Sequence, residues 1–188
     1  MISTLNINNP FPGLRAFDVD EDVLFFGREK QVDELLTKLR TNRFLVVVGA
    51  SGSGKSSLVK CGLIPSLYGG YMTNAGSKWR LCVFRPGTDP IGNLSEGLAQ
   101  KHILGNAIEK GIDQKIIETN LRKSKNGIID SVKDAQLEKD ENILIVVDQF
   151  EELFRFSENE KAENNDSKDS FHFINLLLAA SRQSELPV

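Results

Sequence analysis

The sequence predicts an α/β fold with three layers, in which a parallel sheet is covered by helices on both faces. Short apolar runs rich in branched residues at 44–48, 80–84 and 143–147 are typical of buried parallel strands. The stretches between them carry apolar residues at helical spacing. Because strands and helices therefore alternate, we expect right-handed crossovers and a parallel sheet.

The first 28 residues are predicted to form an N-terminal arm. Pro10, Pro12 and Gly13 exclude a regular element early in this arm. Its apolar side chains are too numerous for a free tail, so we expect it to pack on the body of the protein: Phe11, Leu14, Phe17, Val23, Leu24, Phe25 and Phe26.

Residues 29–188 are predicted to form one domain. A helix at 29–40 carries Val32, Leu35, Leu36 and Leu39 at amphipathic spacing, and the helix that follows strand 44–48 should be interrupted by Pro65. Residues 66–78 are predicted as a loop.

A helical insertion is predicted at about 93–139. It begins with a helix at 93–104 that buries Leu94, Leu98 and Ile103, and two further helical stretches break near Gly111 and Gly127. Residues 150–156 begin another helix. The polar residues 157–169 are predicted as a mobile loop. Ser170 is the predicted cap of a last helix whose inward residues are Phe171, Ile174, Leu177 and Leu178.

Composition limits the classes of function. The chain has 188 residues, 40% hydrophobic and 26% charged, which is typical of one soluble domain. The net charge of -3 argues against general nucleic-acid binding. Cys61 and Cys82 do not form a disulfide framework. No apolar run approaches the roughly 18 residues of a membrane span, and the N-terminus lacks signal-peptide features, so we expect a cytoplasmic protein without membrane contact.

Residues 49–56 read GASGSGKS and fit the P-loop pattern G-x-x-x-x-G-K-[ST] at every fixed position. The glycines let the backbone approach phosphate oxygens, Lys55 should reach the β- and γ-phosphates, and Ser56 should bind Mg²⁺. The sequence therefore predicts a site for a nucleoside triphosphate with Mg²⁺, formed by Gly49, Ala50, Ser51, Gly52, Ser53, Gly54, Lys55, Ser56 and Ser57.

The second half of the predicted site follows the apolar run 143–147. Asp148 stands at the end of this strand, where a Walker-B carboxylate binds Mg²⁺. Glu151 is the first candidate for the base that activates water, and Glu152 is the second. Gln149 occupies a position where many ring-forming ATPases carry glutamate. For Arg85, which follows the second strand, a structural role in the loop is favoured over phosphate contact.

Five segments together resemble the STAND class, the signal-transduction ATPases with numerous domains. They are residues 9–17 (NPFPGLRAF), 25–29 (FFGRE), the P-loop, 84–90 (FRPGTDP) and 147–154 (VDQFEELF). The pattern is most similar to the bacterial novel STAND NTPase domain that often precedes WD repeats. The resemblance runs from about residue 9 to the C-terminus and implies a P-loop NTPase fold.

The resemblance implies several roles. Phe26, Gly27 and Arg28 match the segment beside the adenine and ribose, so the arm would pack on the nucleotide site. The spacing from Asp148 to Glu151 and Glu152 resembles the extended Walker B of the NACHT group. Such proteins are switches: ADP holds a closed state, ATP allows opening and assembly, and hydrolysis resets them. The implied partners are other domains of a longer chain, such as a WD-repeat sensor, and an effector.

The family pattern continues beyond residue 188 with further strands. We therefore expect the chain to stop before the fourth core strand, to bind nucleotide more reliably than it hydrolyses it, and to expose a sheet edge that promotes self-association.

Other functions remain open at this point. A small-molecule phosphotransferase on the same P-loop would need a lid, and no arginine-rich lid is visible. A nucleotide-loaded interaction scaffold without turnover would need only the binding residues. A DNA-loading ATPase of the origin-recognition type shares the Gly-Arg-Glu segment, but the acidic charge balance and Gln149 count against it. No guanine-reading segment is present, which favours ATP or ADP. The signal, the effector, the oligomeric state and the choice between Glu151 and Glu152 stay undetermined.

Overall fold

The computed structural model describes residues 13, 15–70, 78–104, 113–138, 141–154 and 166–183, without the side chains of residues 166 and 167. The chain divides into two compact units, Met1–Ser77 and Lys78–Val188. The predicted boundary between arm and domain after residue 28 stays a prediction. Several predicted features lie outside the described residues, namely the first part of the arm, the break near Gly111 and most of the loop 157–169.

The first unit begins with the later part of the arm. A 3₁₀ helix, Val19–Leu24, is capped at Asp18, whose side chain accepts the Val19 N–H at 3.0 Å. The Glu21 side chain in turn accepts a hydrogen bond from the Asp18 N–H at 2.8 Å. Hydrogen bonds from Arg15, and then the bond from the Asp18 backbone, lower the pKa of Glu21 to about 2. The arm therefore turns at a fully formed capping box.

Helix α1, Glu29–Thr41, confirms the predicted amphipathic segment. Its inward residues Val32 and Leu36 are buried, while Leu35 and Leu39 are half-buried. The predicted strand at 44–48 is wrong, because residues 44–50 adopt no regular secondary structure. Phe44, Val46 and Val48 are 43%, 70% and 86% exposed. A strand needs a neighbour to satisfy its backbone groups, and no strand in the described ranges pairs with this segment.

The helix after the P-loop is longer than predicted. It consists of α2 (Lys55–Ser57), a π-helical segment (Leu58–Leu63) and α3 (Ile64–Tyr68), so residues 66–68 are helical rather than loop. Pro65 does not interrupt it. Pro65 lies in the first turn of α3, where its missing N–H breaks no bond within that segment. The described part of this unit's core consists of Val32, Leu36, Leu58, Cys61, Leu63, Ile64 and Leu67.

The second unit contains a small parallel sheet flanked by helices, as the α/β prediction requires. Strand β1, Lys78–Phe84, pairs with β2, Glu141–Val147, and places Arg80 opposite Ile143 and Phe84 opposite Val147. Both predicted strands are confirmed, each with two extra residues at its start. Arg80 joins the first residues of the two strands, because its guanidinium donates to Glu141 Oε1 at 2.7 Å. It also donates to the carbonyl of Ile103 at 2.7 Å.

Among the described residues between these strands are the helices α4 (Pro90–Leu98), α5 (Gln114–Lys123) and α6 (Gly127–Ala135). The predicted helix at 93–104 starts earlier, because Asp89 caps α4 by accepting the Gly92 N–H at 2.9 Å. It also ends earlier, at Leu98, although Ile103 is buried as predicted. The break before Gly127 is confirmed.

The last helix, α7, extends over Asp166–Arg182. It begins four residues before the predicted cap Ser170, so residues 166–169 are helical rather than part of a loop. The prediction of its inward face is partly wrong: Phe171 is 74% exposed, and the buried residues are Phe173, Leu176, Leu177 and Ala180. Apolar residues are nearly continuous here, so periodicity alone does not define one face. Packing of Phe173 against Phe84 and Phe150 defines it, with ring centroids 6.0 and 6.4 Å apart.

Candidate functional site

The P-loop in the first unit is shaped by two glycines in the left-handed region. The φ angles of Gly52 and Gly54 are 72° and 81°, and Gly54 caps α2. A Cβ built at either glycine meets no other atom within 4 Å, so the loop is open at both positions. Gly49 has no positive φ. Its Cβ would lie 2.9 Å from Ser53 Oγ, so this glycine instead allows a close approach within the loop.

Lys55 folds back over this loop. Its Nζ donates to the carbonyl oxygens of Gly49 at 2.9 Å and Ala50 at 3.0 Å, while the Ser53 N–H donates to Ala50 at 3.2 Å. Ser56 follows in the first turn of the helix and is half-buried. The loop thus places an ammonium group and a hydroxyl at a helix N-terminus, which is a favourable arrangement for an anion.

The described part of the arm contacts this helix and loop. The Phe17 N–H donates to Ser57 Oγ at 3.1 Å, so the hydroxyl of Ser57 is buried against the arm. The Cys61 thiol donates to the Asp18 carbonyl at 2.9 Å. The Arg28 guanidinium donates to the Ser53 carbonyl of the P-loop at 3.3 Å. The sequence analysis did not predict that Ser57 and Cys61 hydrogen-bond to the backbone of the arm. The apolar content of the arm indicated only that the arm packs on the protein, without naming these contacts.

Phe26 and Gly27, which precede Arg28 in the arm, are more exposed to solvent than Ser57 and Cys61. Phe26 is 73% exposed, and Gly27 has a φ of 81°. The Gly27 N–H donates to Glu29 Oε1 at 2.9 Å, which ties this turn to the start of α1. The turn thus combines a backbone hydrogen-bonded to α1 with an exposed aromatic ring.

The candidate carboxylates lie in the second unit. Asp148 directly follows β2, and its N–H donates to the Phe84 carbonyl at 2.9 Å, which extends the parallel ladder by one bond. Its side chain is 15% exposed and lies 3.9 Å from Arg85, measured from Oδ2 to Nε. The next residue, Gln149, is exposed and has a φ of 58°. The chain therefore turns sharply at the carboxyl end of the sheet.

Glu151 and Glu152 have different surroundings. Glu151 is exposed, whereas Glu152 is half-buried and its Oε2 accepts the Gly87 N–H at 3.2 Å. Gly87 lies in the turn after Arg85, with a φ of 54°. No sequence signal predicted the contact between Glu152 and Gly87, because their separation of 65 residues is closed only by strand pairing.

The model of the family described as Novel STAND NTPase 1 matches residues 10–188. The chain belongs to the novel STAND NTPase 1 family. No curated protein and no solved structure matched it. The family resemblance inferred from the sequence is thereby confirmed, while the fusion to WD repeats and the relation to the NACHT group stay predictions.

Membership in the novel STAND NTPase 1 family makes this chain an NTPase-type switch module, and it implies the use of a nucleotide and Mg²⁺. The residues present fit both groups. In the first unit the loop is open over Gly52 and Gly54, Lys55 supplies a cation, and Ser56 supplies a hydroxyl oxygen. In the second unit, described by itself, Asp148 supplies a carboxylate oxygen of the kind that Mg²⁺ prefers. Within the described ranges, no group of three or more His, Cys, Asp or Glu side chains is arranged to hold a metal ion. Nucleotide-bound Mg²⁺ usually takes only one or two protein carboxylates, with phosphates and water completing its shell.

The two thiols of this novel STAND NTPase are poor nucleophiles. Burial, together with the carboxylates of Glu21, Asp22 and Asp18, raises the pKa of Cys61 to about 11. Burial raises the pKa of Cys82 to about 12. Because the thiolate is the reactive form, neither cysteine suits covalent catalysis near neutral pH.

Where the chain is described, no helix is both long and apolar enough to cross a bilayer.

Proposed function

We propose that this chain is a regulatory ATPase module that binds ATP with Mg²⁺, hydrolyses it slowly, and couples the nucleotide state to conformational change or assembly in a signalling or defence protein. The observation that carries the proposal is the P-loop itself. Its backbone passes through left-handed Gly54 directly into the helix at Lys55, and the Lys55 ammonium lies over the loop. Family membership supports the same class of function.

Phosphate binding requires an exchange of partners at Lys55. In the structure its ammonium is satisfied by two neutral carbonyls, at 2.9 and 3.0 Å. Phosphate oxygens carry full negative charge, and charge-assisted hydrogen bonds are roughly twice as strong as neutral ones. We therefore expect Lys55 to leave Gly49 and Ala50 for the β- and γ-phosphates. The binding residues are those of the P-loop and Ser57.

Ser56 and Asp148 would hold the Mg²⁺, the first by its hydroxyl and the second by its carboxylate. When bound, the ion would neutralise charge on the β- and γ-phosphate oxygens. The proposed role of the two residues is to fix its position, and their oxygen donors suit it.

Glu151 is the proposed base. Its carboxylate is exposed and thus accessible to water, whereas the carboxylate of Glu152 already accepts a backbone hydrogen bond. Glu151 would take a proton from a water molecule as that water attacks the γ-phosphorus and the bond to the β-γ bridging oxygen breaks. The products are ADP and phosphate.

Phe26, Gly27 and Arg28 are the proposed contacts of the adenine and ribose. The hydrogen bond from Arg28 to the Ser53 carbonyl supports this role, because it joins the turn at 26–28 to the P-loop. A change in the loop on loss of the γ-phosphate would then reach the arm. Such a link is what a switch needs, since a ligand shifts a conformational equilibrium only through contacts that differ between the two states.

The test is calorimetric titration of the folded chain with ATP, ADP and GTP, with and without Mg²⁺. We expect Mg²⁺-dependent binding of adenine nucleotides that weakens at least about tenfold in Lys55→Ala, because hydrogen bonds to charged groups contribute about 1.5–3 kcal/mol. The control is Lys38→Ala, an exposed lysine near the end of α1, which should bind like the unmutated chain.

Each outcome has a clear meaning. A preference for ADP would fit a closed resting switch. Equal binding of GTP would contradict the adenine assignment, and transfer of label from ATP to a metabolite would favour a phosphotransferase. Tight binding without turnover in the longer protein would favour an interaction scaffold. Absence of binding by the folded chain would contradict the proposal.

A further inference from the structure

We propose that Ser57 contributes to nucleotide binding through the arm, because its hydroxyl holds the arm so that the turn at 26–28 lies beside the P-loop. This inference rests on the proposed function and adds to it a positioning residue, and every residue involved belongs to the first unit. The starting observation is the burial of Ser57. Its exposed fraction is 7%, and its Oγ accepts the Phe17 N–H at 3.1 Å. A hydroxyl covered by the arm in this way is not open to a phosphate.

The arm contacts the same helix at a second point, one turn further along. The Cys61 thiol donates to the Asp18 carbonyl at 2.9 Å. Ser57 and Cys61 are four residues apart, a spacing that places two side chains on one face of a helix. Their partners, Phe17 and Asp18, are adjacent in the arm. The two contacts together therefore fix the position of the arm along the helix.

The arm is also braced internally. The guanidinium of Arg15 donates to both carboxylate oxygens of Glu21 at 2.6 Å, which joins the start of the described arm to its 3₁₀ helix. The Phe17 and Phe25 rings pack edge to face with their centroids 6.3 Å apart. Because Phe25 directly precedes the turn at 26–28, a displacement at Phe17 should reach this turn.

The far end of the arm returns to the P-loop. The Arg28 guanidinium donates to the Ser53 carbonyl at 3.3 Å. Ser53 and Ser57 stand on either side of Lys55, two residues from it in each direction. The arm thus contacts the chain both before and after the residue proposed to bind the phosphates. The positions of the arm and of the loop should therefore depend on each other.

The two parts of a nucleotide should respond differently to the loss of the Ser57 hydroxyl. The phosphates are the proposed ligands of the P-loop, whereas the adenine and ribose are the proposed ligands of the turn at 26–28. Removal of the hydroxyl would leave the loop backbone and Lys55 in place but would loosen the arm. The contribution of the adenosine part to the affinity should therefore fall, and that of the phosphates should stay.

Calorimetry with Mg²⁺–ATP and with Mg²⁺–tripolyphosphate, which lacks base and ribose, tests this. We expect Ser57→Ala to weaken ATP binding about three- to tenfold, as for the loss of one neutral hydrogen bond, and to change tripolyphosphate binding less than about twofold. Ser57→Thr keeps an acceptor for the Phe17 N–H and should restore most of the ATP affinity. Ser66→Ala is the matched control and should bind like the unmutated chain, because Ser66 Oγ donates to the Gly62 carbonyl of its own helix at 2.8 Å.

Amide hydrogen exchange of residues 15–28 reports on the arm directly. We expect faster exchange of this segment in Ser57→Ala, and slower exchange when Mg²⁺–ATP is added to the unmutated chain, because the nucleotide stabilises the arrangement that it binds. Cys61→Ala removes the second contact and should act in the same direction but less strongly, since a thiol is a weak donor. The double variant should lose less ATP affinity than the two single effects predict, because both contacts hold the same arm.

Other results would overturn the inference. Equal losses for ATP and tripolyphosphate in Ser57→Ala would show that Ser57 contacts phosphate directly. Unchanged exchange of residues 15–28 in Ser57→Ala would exclude a role through the arm. If the unmutated chain binds neither ligand, the proposed function fails and this inference fails with it. If it binds both and Ser57→Ala is unchanged, only this inference fails. Thermal unfolding of each variant verifies that it is folded.

Discussion

At the scale of single residues, Gln149 shows how strongly the turn after β2 is constrained. Its φ of 58° is in the left-handed region, and the next turn is closed by a hydrogen bond of 2.9 Å from the Glu152 N–H to the Gln149 carbonyl. Left-handed backbone is unfavourable for L-residues, and such positions are concentrated at functional sites. The left-handed conformation of Gln149 turns the chain sharply between Asp148 and Glu151.

This geometry predicts the effect of substitutions at Gln149. Gln149→Val should lower the free energy of unfolding by about 1–2 kcal/mol, because a β-branched side chain crowds left-handed backbone. Gln149→Asn is the matched control and should be nearly neutral, since Asn tolerates this region. Urea denaturation of the three chains measures the difference. A neutral Gln149→Val would mean that the turn adopts another conformation.

At the scale of elements, the packing of the π-helical segment Leu58–Leu63 on α1 depends on Gly62. A Cβ at this position would clash with Cγ2 of Val32 and would contact Phe25 Cε1 at 3.6 Å. Gly62 thus lets the helix that follows the P-loop lie close to α1. The π-helical segment lies where this helix packs against α1. Single π-helical turns within α-helices are frequent at functional sites.

Gly62→Ala is therefore expected to destabilise the first unit by about 1–3 kcal/mol, although alanine is normally the better helix former, because overpacking costs more than the gain in propensity. Val32→Ala makes room for the added methyl group. The double variant should be more stable than the sum of the two single effects predicts, since the two side chains are in contact. Thermal or urea unfolding of the four chains gives the coupling. Strict additivity would show that Val32 is not the obstacle.

At the scale of the whole molecule, each compact unit contains one buried cysteine, Cys61 in the first and Cys82 in the second. Their exposed fractions are 6% and 1%, and burial raises the pKa of both thiols. Reaction with a thiol reagent therefore requires opening of the unit that contains the cysteine. The described core of the second unit is the larger one, and it spans both strands and helices α4 to α7.

Single-cysteine chains would report on each unit separately. We expect both thiols to be protected at pH 8 in the native protein. We expect Cys61, measured in Cys82→Ala, to become reactive at a lower urea concentration than Cys82, measured in Cys61→Ala, because a smaller core gives less stability. Far-ultraviolet circular dichroism of the same chains serves as the control for global unfolding. Coincident transitions by all three measurements would show that the units unfold as one.

The sequence by itself determined the features that reside in contiguous residues. The P-loop, the strands after residues 78 and 141, and the amphipathic helix α1 follow from local spacing, and the motif combination identified the family. Local patterns encode such features because glycine conformation, helical periodicity and strand alternation act within a few residues.

Only the tertiary structure decided the features that depend on contacts across the chain. Residues 44–48 have a strand-like sequence but no partner among the described strands, and the inward face of α7 is defined by the packing of Phe173. The different surroundings of Glu151 and Glu152, and the placement of Arg85 beside Asp148, arise where the paired ends of β1 and β2 bring distant segments together. Such contacts leave no local trace in the sequence, because their energy comes from pairing and burial between residues far apart along the chain.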